Sequence, residues 1–137
     1  MLLEHDEEIR TLLSNATTIA VVGLSAKPYR DSYRVAQYLL RHGYTIIPVN
    51  PHVNEVFGLR AYSDLPGVPS SVDIVNIFRR PEFVPGIVND AIAAGARTVW
   101  MQLGVGHSVA TQTAIEAGLS VVVNRCIMVE HRRFTHG

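Results

Sequence analysis

The sequence predicts an α/β protein, a doubly wound, five-stranded parallel sheet covered by helices on both sides, three layers in all. Two observations predict it. A unit of helix, glycine and buried strand recurs along the chain, and most strand candidates are apolar on both faces, as strands inside a parallel sheet are. Strands and helices alternating at this spacing imply right-handed crossovers within one open sheet. At 137 residues the chain fits a single domain spanning 1–137, long enough to bury a core without staples.

The elements follow in order. LLEHDEEIRTLL places Leu2, Ile9, Leu12 and Leu13 to pack a leading helix on the sheet, and TIAVVG supplies the first strand, near 18–23. SYRVAQYLLRHG carries a helical stripe of Val35, Ala36, Leu39 and Leu40 that closes on Gly43, and YTIIPV gives the second strand, near 44–49. The segment 52–71 lacks a helical stripe and is broken by Pro66, Gly67 and Pro69, so it reads as an irregular crossover with one short helical turn. VDIVNIF is the third strand, near 72–78. FVPGIVNDAIAAG brings Val84, Ile87, Val88, Ala91 and Ile92 to one helical face before the fourth strand, near 97–102. SVATQTAIEAG closes the last helix on Gly118 before the fifth strand, near 119–123. The final EHRRFTHG reads as a solvated terminal segment.

Composition excludes several classes. Apolar residues at 47% and charged residues at 18% describe a folded chain rather than a disordered one. Twelve basic and twelve acidic residues cancel, and a nucleic-acid binder that neutralises backbone phosphates needs a basic excess. Cys126 is the one cysteine and cannot form an internal disulfide, which points to a reducing compartment. The acidic start MLLEHDEEIRTLL is no signal peptide, and no apolar run approaches the length that crosses a bilayer. These features together lead us to expect a cytoplasmic protein with a small-molecule ligand, no membrane or nucleic acid, and no protein partner that the sequence can name.

In an open parallel sheet, ligands sit beyond the C-terminal ends of the strands, where strand order reverses. The loops there hold Gly23, Ser25, Lys27 and Arg30; Asn50 and Pro51; Phe78, Arg79 and Arg80; Gln102, Gly104 and His107; and Asn124, Arg125 and Cys126. Cations from three loops converge on one edge of a chain without net charge, which favours an anionic ligand. Lys27 is the only lysine. Gly23 lets the backbone turn off the first strand and approach a ligand. Asp31 or Ser32 would cap the next helix and leave its first amides and positive dipole end facing the loop, a natural phosphate site. Lys27 and Arg30 add a point charge and a forked donor. With a single glycine the loop also fits a solvated turn whose charges serve solubility.

The usual dinucleotide fingerprint needs three glycines and an acid at the end of the second strand. Here Gly23 is followed by Ser25 and Pro28, and the second strand ends in Asn50-Pro51. A phosphorylated ribose disfavours such an acid, so NADP and coenzyme A both remain.

The segments VVGLSAKPYRDSYRVAQYL, GYTIIPVNPHVNEVFG, VDIVNIFRRPEFVP, VWMQLGV and GLSVVVNRC, in this order, resemble the small stand-alone CoA-binding proteins, which in turn resemble the CoA-binding domain of the succinyl-CoA synthetase α subunit. The similarity runs from about Ile19 to His131 and implies a Rossmann-like CoA-binding fold. By matched position, it implies that Gly23, Ser25, Lys27, Pro28 and Arg30 hold the phosphates of coenzyme A or an acyl-CoA. Asn50 and Pro51 would border the nucleotide, Phe78 would pack against the ligand, and Arg79 or Arg80 would meet a phosphate. Gln102 and Gly104 would line the cleft, and Asn124, Arg125 and Cys126 would close its far side. Asp31 stands where many relatives carry proline, and suits the site if it caps the helix.

The resemblance supplies no chemistry. The synthetase uses a phosphorylated histidine on a separate domain and a partner subunit, and this chain ends shortly after its fifth strand, so we expect neither here. Of the six histidines, His42 precedes a capping glycine and reads as structural, His107 could touch a ligand, and no pair has metal-ligand spacing. Cys126 is either a small buried residue or a thiol able to exchange with that of CoA or accept an acyl group. GLSAK lacks the second glycine of a nucleophile elbow. Two readings follow. One is a carrier, sensor or accessory module without its own catalytic centre, in which Cys126→Ser leaves binding intact. The alternative is a small NADP-linked or acyl-transferring enzyme working with a partner chain.

Overall fold

The structure, a computed structural model, describes residues 1–136. In chain order the elements are α1 (Asp6–Asn15), β1 (Thr18–Val22), α2 (Asp31–Arg41), β2 (Thr45–Val49), β3 (Glu55–Val56), β4 (Leu59–Arg60), β5 (Ile74–Ile77), α3 (Val84–Ala93), β6 (Thr98–Met101), α4 (Ser108–Glu116), β7 (Ser120–Val123) and α5 (Ile127–His136). Strands β2, β1, β5, β6 and β7 lie side by side in that order, all parallel. This is the expected three-layer, Rossmann-like fold, and each of the five predicted strands falls inside its predicted window.

Period-two alternation divides the core between the two faces. Ala20, Val22, Val75, Ile77, Val99 and Met101 pack with Val84 and Val88 of α3 and Ala110 and Ala114 of α4. Ile19, Val21, Ile46, Ile74, Trp100 and Val122 pack with Ile9 and Leu13 of α1, Val35 and Leu39 of α2, and Ile127 of α5. Trp100 is fully buried, and its indole Nε1 donates to the Arg125 carbonyl at 2.8 Å. No helix among the described residues is long and apolar enough to cross a membrane.

Three expectations are corrected. The crossover 52–71 contains a small antiparallel hairpin, Glu55 facing Arg60 and Val56 facing Leu59, besides the expected helical turn at Leu65–Gly67. Phe57 and Gly58 join its strands with φ of 57° and 73°. Leu2 lies outside the leading helix, in a parallel bridge to Val121 at the edge of the sheet. The C-terminal segment is the helix α5, not a solvated tail; Gly137 lies outside the described residues. Ile127 is fully buried. The Glu130 carboxylate, 7% exposed, takes Arg125 on one oxygen and Arg133 on the other, both at 2.6 Å, and Arg133 reaches on to Asp6 of α1 at 2.9 Å. His131 lies in the same helix, its Nδ1 2.8 Å from the Tyr38 hydroxyl of α2.

Asp73 pins the start of the central strands. Its Oδ2 accepts from the Thr17 and Thr18 amides at 2.8 and 3.0 Å. The Thr18 and Thr17 amides, with Arg97 nearby, hold its carboxyl below the ordinary carboxylate value. A lowered folded-state value means that the stabilisation is complete above the unfolded value of about 3.9 and fades as pH falls through the folded one. Asp73→Ala is therefore expected to cost about 1–2 kcal/mol at pH 7. In urea denaturation at a series of pH values, the difference from the parent shrinks below about pH 4. A difference that stays constant to pH 2 would count against this role.

Candidate functional site

The chain runs from β1 out to β2, then crosses back so that β5 lies on the other side of β1. Strand order thus reverses between β1 and β5, and the crevice opens where Gly23 leaves β1 and Phe78 leaves β5. Gly23 has a φ of +91°, and a Cβ there would stand 2.4 Å from the Phe78 carbonyl oxygen. The close approach that requires glycine is therefore to the neighbouring strand end. Gly23 N–H donates to Val49 O, and Phe78 N–H to Val22 O, both at 2.8 Å. These bonds join the three strand tips.

The loop that follows is braced from within. Leu24 is fully buried beneath it. Ser25 N–H donates to Ser32 Oγ at 3.0 Å, Lys27 N–H to Ser25 Oγ at 3.0 Å, and Asn50 Nδ2 to the Leu24 carbonyl at 3.0 Å. The capping expectation is corrected: Arg30 occupies the N-cap of α2 in extended conformation without a side-chain cap bond. Asp31 is the first helical residue and pairs with Arg34, while Ser32 turns back to the loop. The first-turn amides of α2 have no helical carbonyl to bond and face the loop with the positive dipole end.

Two adjoining hollows meet at Phe78 and Asp31, which line both. The first, about 900 Å³, lies over the start of α2 and is lined by Gly23, Ser25, Lys27, Arg30, Ser32 and Asn50, together with Tyr29 and His52. The second, about 770 Å³, descends between α2 and α5. Arg79, Arg80, Gln102, Gly104 and Cys126 line its mouth, and Val35, Val105, Met128 and Val129 its walls. Cys126 is half-buried there with a free thiol.

The remaining candidates lie elsewhere or turn inward. Pro51 borders a separate 330 Å³ cavity with Asp64, Leu65 and Asp90. Asn124, at a φ of 59°, accepts the Gly104 amide at 3.1 Å and shapes the loop. Arg125 is turned from the cleft, held by Glu130 and by the Glu4 carbonyl at 2.9 Å. Gln102 borders the second hollow, but its side chain is buried, its Oε1 accepting from Asn76 Nδ2 at 3.2 Å and from the Ile127 amide at 2.9 Å. His107 caps α4, its Nδ1 accepting from Ala110 N–H at 3.1 Å, and lines a hollow beside Leu2, Leu3 and Arg125.

Residues that sequence reasoning left out complete the walls: Tyr29, Arg34, His52, Met128, Val129 and Arg132. Only Arg34, on α2, carries a sequence signal, since it precedes Val35 of the buried stripe. With them, six of the chain's twelve cations, namely Lys27, Arg30, Arg34, Arg79, Arg80 and Arg132, line the two hollows, against Asp31 as the lining acid. A cleft of this kind concentrates anions although the chain is neutral overall.

Comparison with known proteins agrees in kind. The family model described as CoA binding domain matches residues 17–132. The uncharacterized protein YneT of Bacillus subtilis (strain 168) is 40% identical over 124 residues, 90% of this chain and 92% of its own length. The alpha subunit of the ADP-forming acetate–CoA ligase I of Pyrococcus furiosus is 30% identical over 93 residues, 64% of this chain, and the match spans 20% of that longer protein. A hypothetical protein from Pyrococcus horikoshii OT3 superposes with a TM-score of 0.94 at 42% identity, covering 96% of this chain and 93% of that one.

Proposed function

This chain belongs to the family of CoA binding domains, and on that premise we propose that it binds coenzyme A or an acyl-CoA in the cleft at the strand tips. The observation that carries the proposal is the gathering of six cations around two joined hollows at the start of α2. The phosphates take the hollow over α2, where Lys27 and Arg30 flank the first-turn amides. Asn50 stands where a dinucleotide site would place an acid, which suits a phosphorylated ribose. The pantetheine arm crosses Phe78 into the second hollow, whose walls are mainly apolar. The thioester or thiol end then lies near Cys126.

In this role the protein is a carrier, sensor or accessory module. The second reading, an acyl-transferring enzyme, draws on the Cys126 thiol in the wall of the second hollow. It needs a base to form the thiolate, and the ionisable groups lining that hollow besides Cys126 are Asp31 and four arginines.

Amide chemical-shift mapping with CoA tests the location. The expected shifts concentrate at residues 23–32, Asn50, Phe78 and Arg79. Shifts confined to the cavity of Asp64 and Asp90, or to the hollow beside His107, would contradict the assignment.

A further inference from the structure

The second hollow is more than a passage for the pantetheine arm. It runs down between two helices, and one turn beyond its apolar walls the Tyr38 hydroxyl and His131 Nδ1, 2.8 Å apart, bridge α2 to α5. Arg132 stands at this level. Met128 and Arg132 are four residues apart and share a face of α5, so their backbone positions are about 6 Å apart along the helix.

The charges around it single Arg132 out. Its neighbours Arg125 and Arg133 are neutralised by Glu130 and Asp6. Of the other arginines lining the hollow, Arg34 pairs with Asp31 and Arg80 with Glu82. Arg79 sits at the mouth, 4.3 Å over the Phe83 ring. Arg132 rests 5.5 Å over the Tyr38 ring, and among the described residues no carboxylate pairs with it. An apolar stretch thus leads from the half-buried Cys126 to Arg132, six residues and about 9 Å further along the helix direction, an arginine that no described carboxylate holds in an ion pair.

We infer that this groove accepts the acyl end of a CoA thioester whose short acyl chain terminates in a carboxylate, bound by Arg132. The inference rests on the CoA reading of the cleft. The thioester is held near Cys126, three or so methylenes lie against Val35 and Met128, and the terminal carboxylate meets the guanidinium fork, which matches it in charge and geometry. The groove continues from the phosphate hollow through Phe78 and Asp31, so one ligand spans both.

The test compares glutaryl-CoA, pentanoyl-CoA and free CoA by calorimetry, with the parent and with Arg132→Gln and Arg132→Lys. The two thioesters have acyl chains of equal length and differ in the terminal carboxylate. The parent is expected to bind glutaryl-CoA about tenfold or more tightly than pentanoyl-CoA, the ratio typical of a charge-assisted hydrogen bond. Arg132→Gln removes that preference, read as the ratio of the two thioesters' affinities in the same variant, while Arg132→Lys, which keeps the charge and loses the fork, retains part of it. Arg132 is exposed, so both variants fold. If the parent binds CoA but treats the two thioesters alike or prefers pentanoyl-CoA, or if the preference survives in Arg132→Gln, the inference is wrong and the CoA reading stands. If the parent binds no CoA, the CoA reading itself fails and takes the inference with it.

Discussion

Gly23→Ala is expected to destabilise the fold by about 2–5 kcal/mol, combining the cost of a left-handed residue with that of overpacking. The φ of +91° is one that side chains rarely adopt, and the new Cβ would meet the Phe78 carbonyl oxygen at 2.4 Å and its carbon at 3.0 Å. These are backbone atoms, so relief requires the tips of β1 and β5 to separate. Gly43→Ala is the control. Gly43 has a similar φ of +95° with nothing within 4 Å of a Cβ, so it is expected to cost only about 1–2 kcal/mol of conformational strain. Urea denaturation of both variants separates the two terms. Equal losses at the two positions would show that the contact between strand tips is not what requires glycine. Because the tips frame the cleft, Gly23→Ala is also expected to weaken CoA binding, whereas Gly43→Ala, beyond the opposite end of α2, leaves it intact.

Removing both Lys27 and Arg30 as alanines is expected to weaken CoA binding about 100-fold, each charge-assisted contact accounting for roughly tenfold. Both side chains are exposed at the rim of the hollow over α2. The loop's own bonds run through Ser25, Ser32 and backbone groups, which neither substitution touches. Stability is therefore expected to move by no more than about 0.5 kcal/mol. The affinity of the parent falls with rising salt more steeply than that of the double variant.

Much of the fold was legible in the chain, because the signals were local and strong. Runs such as TIAVV and TVWM are apolar on both faces, and glycines close three of the helices, so the five strands fell where expected. The helix α5 was not legible. Its stretch EHRR reads as solvent-exposed charge until Glu130 is seen buried between Arg125 and Arg133, partners brought together by tertiary structure. The hairpin at Glu55–Arg60 consists of two-residue strands, too short for any periodicity.

The candidate site divides along the same line. The loop from Gly23 to Arg30, Asn50 and the Phe78-Arg79-Arg80 corner follow from strand order, and the structure brings them together. The direction of a side chain beyond a strand tip does not follow from strand order. Arg125 looks like Arg79 in the sequence, yet Glu130 draws it away. Gln102 spends its carbonyl oxygen on Asn76 and the first amide of α5. Arg132 carries no signal in the sequence because the helix that presents it carries none.

The central claim is that the cleft of Lys27 and Arg30 holds coenzyme A, and a calorimetric titration tests it most directly. CoA is titrated into the parent and into the Lys27→Ala/Arg30→Ala double variant, with 3′-dephospho-CoA and NADP into the parent alongside. The expected result is CoA binding in the parent, weaker binding of the other two ligands, and a loss of about 100-fold in the double variant. Equal CoA affinity in parent and variant, or binding of NADP in place of CoA, would contradict the account.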